Sequence, residues 1–208
     1  LAICWSDISS SKFSARKHIE GIGANNVTKR IYVNDEKYNY ILALLNSNYA
    51  QYIFDSIIPT LHFDTGYIGL LPLNFYENSK IEIIVENNIS ISQNDWNSFE
   101  TSYDFIRHPL LNYEVSIYSG LGDSDKECIS HIKIDNNNGK FLIFEKDKPK
   151  VYRIEQSFEM YKDFCNNTFN KLKENEEKLN EMFIKIYGLE NELTPEVEDK
   201  EYLIIKKI

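Results

Sequence analysis

From about Ser157 to Tyr187, the apolar residues Phe158, Tyr161, Cys165, Phe169, Leu172, Leu179, Phe183 and Ile186 recur at three- and four-residue spacings or their multiples. Lys, Glu and Asn dominate the positions between them. That period predicts one long amphipathic helix over residues 157–187 with a single buried stripe, and the rest of the chain must supply what covers it. Glu176 falls inside the stripe between Leu172 and Leu179, so the pattern is not a clean heptad seam. Gly188 reads as the C-terminal cap, and Thr194-Pro195 starts the tail. A helix of this kind packs on its own domain, and at this length in a small unit it also serves as a spacer or docking surface.

The first third of the chain follows other periods. LAICW (1–5) and KRIYV (29–33) read as short strands separated by the turn-rich GIGANN. Residues 36–58 carry helical spacing, split at Asn46-Ser47-Asn48, where Ser47 or Asn48 caps the second helix and Asn48 with Gln51 has capping-box spacing. Pro59 ends that run, and residues 60–63 read as extended. Asp64 is placed to cap one helical turn, closed by Pro72. Residues 80–86 fit both strand and helix, with the helix preferred. In residues 131–145, two alternating apolar runs flank NNNG, a β-hairpin signal. The polar stretch 92–111 resembles neither a strand nor a long amphipathic helix, yet it holds Trp96, Phe99, Tyr103 and Phe105. No Pro- or Gly/Ser-rich linker occurs, and the best boundary lies near residue 74.

Hydrophobic residues make up 42% of the 208, which supports a packed core and argues against wholesale disorder. The formal net charge of −9 argues against a generic nucleic-acid binder. Its distribution matters more: residues 1–73 are net neutral, and the acidic excess lies beyond them. Between positions 12 and 30, Lys12, Arg16, Lys17, Lys29 and Arg30 face only Glu20. Such a run is more often a solvated face than a binding patch, but it admits a local basic site on an acidic protein.

Cys4, Cys128 and Cys165 are odd in number and far apart, with no metal-ligand spacing, so a reducing cytoplasmic setting is expected. No apolar run approaches membrane-spanning length and no signal peptide is recognised, so no membrane partner is expected. Leu1 stands within an apolar strand pattern, which suggests a chain cut or processed from a longer one. The pairs Gly21-Ile22-Gly23 and Gly120-Leu121-Gly122 lack the strand–helix setting of a phosphate cradle. No residue set suits nucleophilic catalysis, and His18, His62, His108 and His131 read as surface or packing residues. The strings Asp35-Glu36-Lys37, Glu176-Glu177-Lys178 and Glu198-Asp199-Lys200 match a nuclease-like pattern at a level that chance explains in a chain with 26% charged residues.

Residues 92–111, SQNDWNSFETSYDFIRHPLL, and 172–200, LKENEEKLNEMFIKIYGLENELTPEVEDK, resemble the C-terminal region of the PglX family. These are adenine-specific DNA methyltransferases of BREX phage-defence systems, related to type IIG restriction-modification enzymes. Residues 95–111 match the family string D-W-x-S-F-E-T-S-[WY]-D-F…H-P-L-L, and residues 175–197 match N-E-E-x-L-N…I-Y-G-L-x-x-E-L-T-P-E-V. Residues 40–73 are similar to the end of a target recognition domain, where a leucine-rich helix pair precedes T-L-x-F…G-x-I…[IL]-P. Residues 112–155 fall outside the resemblance and read as a family-variable insertion.

The resemblance, with the strand, hairpin and helix patterns above, gives an α+β chain: a small mixed target-recognition-like domain over 1–73, then a mainly helical spacer over 74–208 with a β-hairpin inserted at about 112–155 and the long helix at about 157–187. It implies double-stranded DNA and an upstream methyltransferase domain of the same parent chain as partners, with other defence-system subunits as further candidates. The family's N-P-P-[YF] and F-x-G-x-G motifs are absent here, so catalytic, cofactor and metal residues are expected to be none in this segment. S-adenosylmethionine is then expected only in the parent enzyme.

Under that reading Lys12, Arg16, Lys17, Lys29 and Arg30 are candidates for phosphate or base contact, and Asn25 and Asn26 for reading adenine edges. Trp96, Phe99 and Tyr103, three and four apart, are expected on one side of a short helix as an inter-domain joint. A base-stacking role is less favoured, because Arg107 is the only Lys or Arg between 92 and 111. The alternative class is a protein-interaction scaffold that docks other defence subunits without touching DNA. A third reading, an independent metal-dependent nuclease, would rest on residues such as Asp35 or Glu176.

Overall fold

A computed structural model of the chain describes residues 1–18, 21, 23, 25–112, 133–135, 140–142 and 154–198. It confirms the α+β class, with a three-stranded antiparallel sheet and five α-helices among the described residues. The chain forms two compact units, Leu1–Ile91 with Lys171–Glu201, and Ser92–Asn170 with Tyr202–Ile208.

In the first unit, strand β1 (Ala2–Ser6) lies between β2 (Ala15–Lys17) and β3 (Thr28–Tyr32), antiparallel to both. Ile3 and Trp5 alternate onto one face of β1 and Ala15 of β2 joins them, all three within the hydrophobic core. The Trp5 indole N–H donates to the Phe63 carbonyl at 2.8 Å, which satisfies the buried polar end of the largest core side chain.

Helices α1 (Asp35–Leu45) and α2 (Asn48–Ile57) supply Tyr38, Leu44, Tyr49 and Phe54 to the same core. They separate at the expected place. Ser47 is the cap: its Oγ accepts from the Ala50 N–H and donates to the Leu44 carbonyl at 2.7 Å. The reciprocal contact of a capping box between Asn48 and Gln51 is replaced by other partners. The Gln51 Oε1 accepts from the Phe13 N–H instead.

Asp64 caps the short helix α3 (Thr65–Ile68) through the Gly66 N–H, and the helix ends at Gly69 rather than at Pro72. The extended residues 60–63 pair through a single bridge between Ile8 and His62. Residues 80–86 are helical, inside α4 (Ser79–Trp96), and Ile81 and Val85 reach the core. From the long helix α5 (Ile154–Tyr187), Leu179 and Phe183 join that core. Gly188, at φ +68°, ends α5 as expected. Its N–H donates to the Lys185 carbonyl and the Leu189 N–H to the Ile184 carbonyl, the paired closure that a left-handed residue permits.

Strand β2 is the element that the sequence pattern missed. Its three residues include one apolar side chain, so no alternation is visible. Its position comes from tertiary bonds: the Asn46 side chain accepts from the Ala15 N–H at 2.9 Å and donates to the Ala15 carbonyl at 3.0 Å. A side-chain amide thus takes the place of a neighbouring strand along that edge.

In the second unit, Ser92–Trp96 complete α4, so the polar stretch begins as helix, contrary to its composition. Residues 97–104 then run through successive turns closed by i→i+3 bonds, such as Phe99 N–H to the Trp96 carbonyl and Ser102 N–H to the Phe99 carbonyl. No short helix carries Trp96, Phe99 and Tyr103 on one side. The Ser102 hydroxyl, bonded to Asn97 Oδ1 at 2.7 Å, competes with helical continuation. A 3-10 turn spans Pro109–Asn112, and the His108 ring meets Tyr161 of α5 edge-on at 5.5 Å. The expected hairpin is present as β4 (Lys133–Asp135) paired antiparallel with β5 (Lys140–Leu142); its NNNG turn lies outside the described residues.

Candidate nucleic-acid interface

The five basic candidates near the sheet do not form one patch. Register separates them. Cys4 lies opposite Arg16 on one side and Arg30 on the other, so the three side chains share the sheet face turned away from Ile3 and Trp5. Ile3 lies opposite Lys17 and Ile31, so Lys17 stands on the other face although it follows Arg16 in sequence. Lys29 lies opposite Trp5, again on the core-side face.

Lys29 is also engaged. Its Nζ sits 3.6 Å from Asp64 Oδ2 and 3.9 Å from Asp7 Oδ1. His62 Nδ1 lies 3.5 Å from the other Asp7 oxygen. The Gly66 N–H and, after it, Lys29 hold the Asp64 carboxyl below the usual range. This cluster ties the end of β1 to β3 and to the loop before α3, which is a structural task.

Asn25 is similarly occupied. Its Oδ1 accepts from the Val27 N–H, the Thr28 N–H and the Thr28 hydroxyl at about 3 Å each. A side-chain amide that reads adenine offers both its oxygen and its nitrogen, and here three donors already use the oxygen. Asn26 is exposed in the same turn. Lys12 stands in the loop 9–12, at an open cleft of about 350 Å³ lined also by Gln51, Asp55 and Leu61.

Of the other residues on the Arg16 and Arg30 face, Cys4 and Tyr32 bear on its chemistry, and neither was read from sequence as part of it. Cys4 is buried between the arginine positions yet lies outside the core cluster. Burial pushes its thiol up, and the Arg16 charge opposes that shift in part. Tyr32 is 75% exposed, and the Arg30 guanidinium lies 5.8 Å from its ring centre. Alternation along KRIYV, which puts residues 30 and 32 on one face, is the signal that would have found Tyr32.

In the second unit, Trp96 is half exposed, Phe99 is half-buried and Tyr103 is fully exposed. Among the described residues, no three His, Cys, Asp or Glu side chains cluster to hold a metal ion. Glu174 pairs with Lys178 and Lys171 along α5, and Glu177 accepts from the Val197 N–H. Among the described residues no helix is long and apolar enough to cross a membrane.

No protein-family model matches the chain. Individual relatives do. The adenine-specific methyltransferase PglX of Lacticaseibacillus casei (strain Zhang) is 33% identical over 201 residues, covering 96% of this chain. The chain matches a segment of PglX-type proteins. The adenine-specific methyltransferase BrxX of Escherichia coli O9:H4 (strain HS) is similar as well, 32% identical over 176 residues and 74% of this chain. The chain spans 14% of the length of each of these relatives. The PglX-type match therefore takes in the sheet, both units and the long helix, and a small part of any whole relative.

Proposed function

We propose that this chain is the target-recognition and spacer portion of a PglX-type adenine-N6 DNA methyltransferase acting in phage defence, and that it is non-catalytic by itself. The observation that carries the reading is the match over 96% of the chain to a methyltransferase of which it spans 14%, in a segment lacking the N-P-P-[YF] and F-x-G-x-G motifs. A methyltransferase that flips its adenine needs a separate part to grip the surrounding duplex. Residues 1–73 would supply that grip through candidates among Lys12, Arg16, Lys17, Asn26 and Arg30, while Lys29 and Asn25 are engaged in holding the fold. Residues 74–208 would space and dock it, and S-adenosylmethionine would bind the remainder of the parent.

The test is an exchange. Residues 1–73 are replaced in the full-length protein by the matching residues of a relative that methylates a different motif. Methylation that follows the donor's motif supports the assignment. Methylation that stays at the original motif, by an exchange protein of undiminished activity, rejects it.

A second reading applies to the other unit. Tyr103, fully exposed, and Trp96, half exposed, are large aromatics with area left to bury. In this reading Trp96, Phe99 and Tyr103 would dock another defence-system subunit rather than join the recognition domain to the spacer. Trp96→Ala with Tyr103→Ala would weaken that association in the full-length assembly and leave duplex affinity unchanged.

A further inference from the structure

We propose that Arg16 and Arg30, flanking Cys4 on the outer face of the three-stranded sheet, grip two phosphates of the duplex backbone without reading sequence. The proposal rests on the reading that the parent protein binds DNA, and it divides the basic candidates into those that grip DNA and those that hold the fold.

The two arginines share one row of the sheet with one strand between them. Two strand spacings set their Cα atoms about 10 Å apart. Long side chains on either side of a small central residue can then converge on neighbouring phosphates or spread along the backbone. Among the described residues neither arginine has a carboxylate partner, whereas Lys29 has two within 4 Å. The side chains sharing the face by register are Ala2, Cys4, Ser6, Thr28 and Tyr32, and none carries a carboxylate. Burial keeps the thiol between the arginines protonated, so no thiolate pairs with Arg16.

Tyr32 adds orientation. A guanidinium over an aromatic ring is held by its flat face, which leaves its N–H edge available for a planar oxygen acceptor. Along the sheet edge, Asn46 fixes the Ala15 backbone at both its N–H and its carbonyl, so Arg16 projects from an anchored edge strand. Arginine on a firm backbone with no acid opposite it suits phosphate. The row offers no side-chain amide for a bidentate adenine contact, so the grip gives affinity and register rather than specificity.

The experiment measures duplex affinity of the full-length protein as a function of salt, by fluorescence anisotropy on two labelled duplexes of unrelated sequence. Arg16→Gln with Arg30→Gln removes both charges and keeps a polar side chain with a short aliphatic stem at each position. The expected result is a fall of about 1.8 in the slope of log affinity against log salt, about 0.9 per phosphate contact, equal on both duplexes. Arg16→Lys with Arg30→Lys retains the slope, and Lys29→Ala leaves it unchanged. Far-UV circular dichroism confirms that each variant is folded, and Arg16→Gln alone and Arg30→Gln alone, each expected to lower the slope by about 0.9, decide the matter should the glutamine pair not fold. A wild-type slope in the glutamine pair, or a slope lost equally in the folded lysine pair, overturns the grip while leaving DNA binding by the parent intact. A wild-type protein with no salt-dependent affinity for any duplex overturns the grip and the recognition reading together.

Discussion

Tyr49 and Tyr187 lie ring on ring, their centres 3.7 Å apart and their planes 11° from parallel, and both hydroxyls donate to the Pro72 carbonyl. The Tyr187 oxygen also accepts from the Asn74 N–H at 2.9 Å. Two helices far apart in sequence are thereby fastened to the segment after α3. Burial, and then the neighbouring Tyr187, push the Tyr49 hydroxyl up to about 12, so it remains a donor across the working range of pH.

Tyr187→Phe keeps the stacked ring and removes the hydroxyl, which leaves the Asn74 N–H without this acceptor. The expected loss is about 1–2 kcal/mol. Urea denaturation would show a lower midpoint at unchanged slope. A midpoint equal to that of the wild type would mean that water replaces the hydroxyl without cost.

Ser47→Ala tests the corner between α1 and α2. The Ser47 side chain is buried and serves both helices, accepting from Ala50 and donating to Leu44. Its loss leaves the Ala50 N–H without that acceptor, while the Leu44 carbonyl keeps its bond from the Ser47 N–H, at about 1–2 kcal/mol. Ser47→Thr, which retains the oxygen, should recover part of the midpoint if the added methyl fits. Equal destabilisation by alanine and threonine would point to packing rather than capping.

The C-terminal end of α5 gives a sharper contrast. Gly188 occupies a left-handed conformation with nothing within 4 Å of where a Cβ would stand, so a substitution meets backbone strain alone. Gly188→Ala should cost about 1–2 kcal/mol, and Gly188→Asn less, because asparagine tolerates that region. Thermal unfolding ranks the three proteins, and an alanine variant as stable as the parent would refute the strain account.

These sites also show what could be read from sequence. Ser47 and Gly188 were visible because caps use a few residue types beside a periodic run. Strand β2 was not, because its boundaries depend on Asn46, about thirty residues away. The candidate interface failed in the same way. Arg16 and Lys17 look like one basic pair in sequence, and the pleat puts them on opposite faces. Arg16 and Arg30, fourteen positions apart, meet in one row only through β1. Lys29 looked as available as its neighbours until Asp7 and Asp64 came within 4 Å. Local composition carries none of this pairing. The helical start of the polar stretch was hidden for another reason: it is the exposed end of a helix whose buried residues, Ile81 and Val85, lie upstream.

Asp95, in the last turn of α4, has one carboxylate oxygen buried without a hydrogen-bond partner. Burial pushes its carboxyl up to about 6 from the ordinary 3.8. The folded state therefore holds a proton that the unfolded chain releases across that window. The sign follows: the ionised carboxylate opposes folding, with no penalty near pH 3.5, a rising one between about 4 and 6, and the full penalty above. Asp95→Asn removes the charge and keeps the shape. Since the residue is only half-buried, solvent screening reduces the gain expected at pH 7 to about 1 kcal/mol. Chemical denaturation at pH 7 and at pH 3.5 should show that gain at the higher pH and none at the lower. A gain of the same size at both would mean that the asparagine helps by packing or hydrogen bonding, and the buried charge would not be its cause.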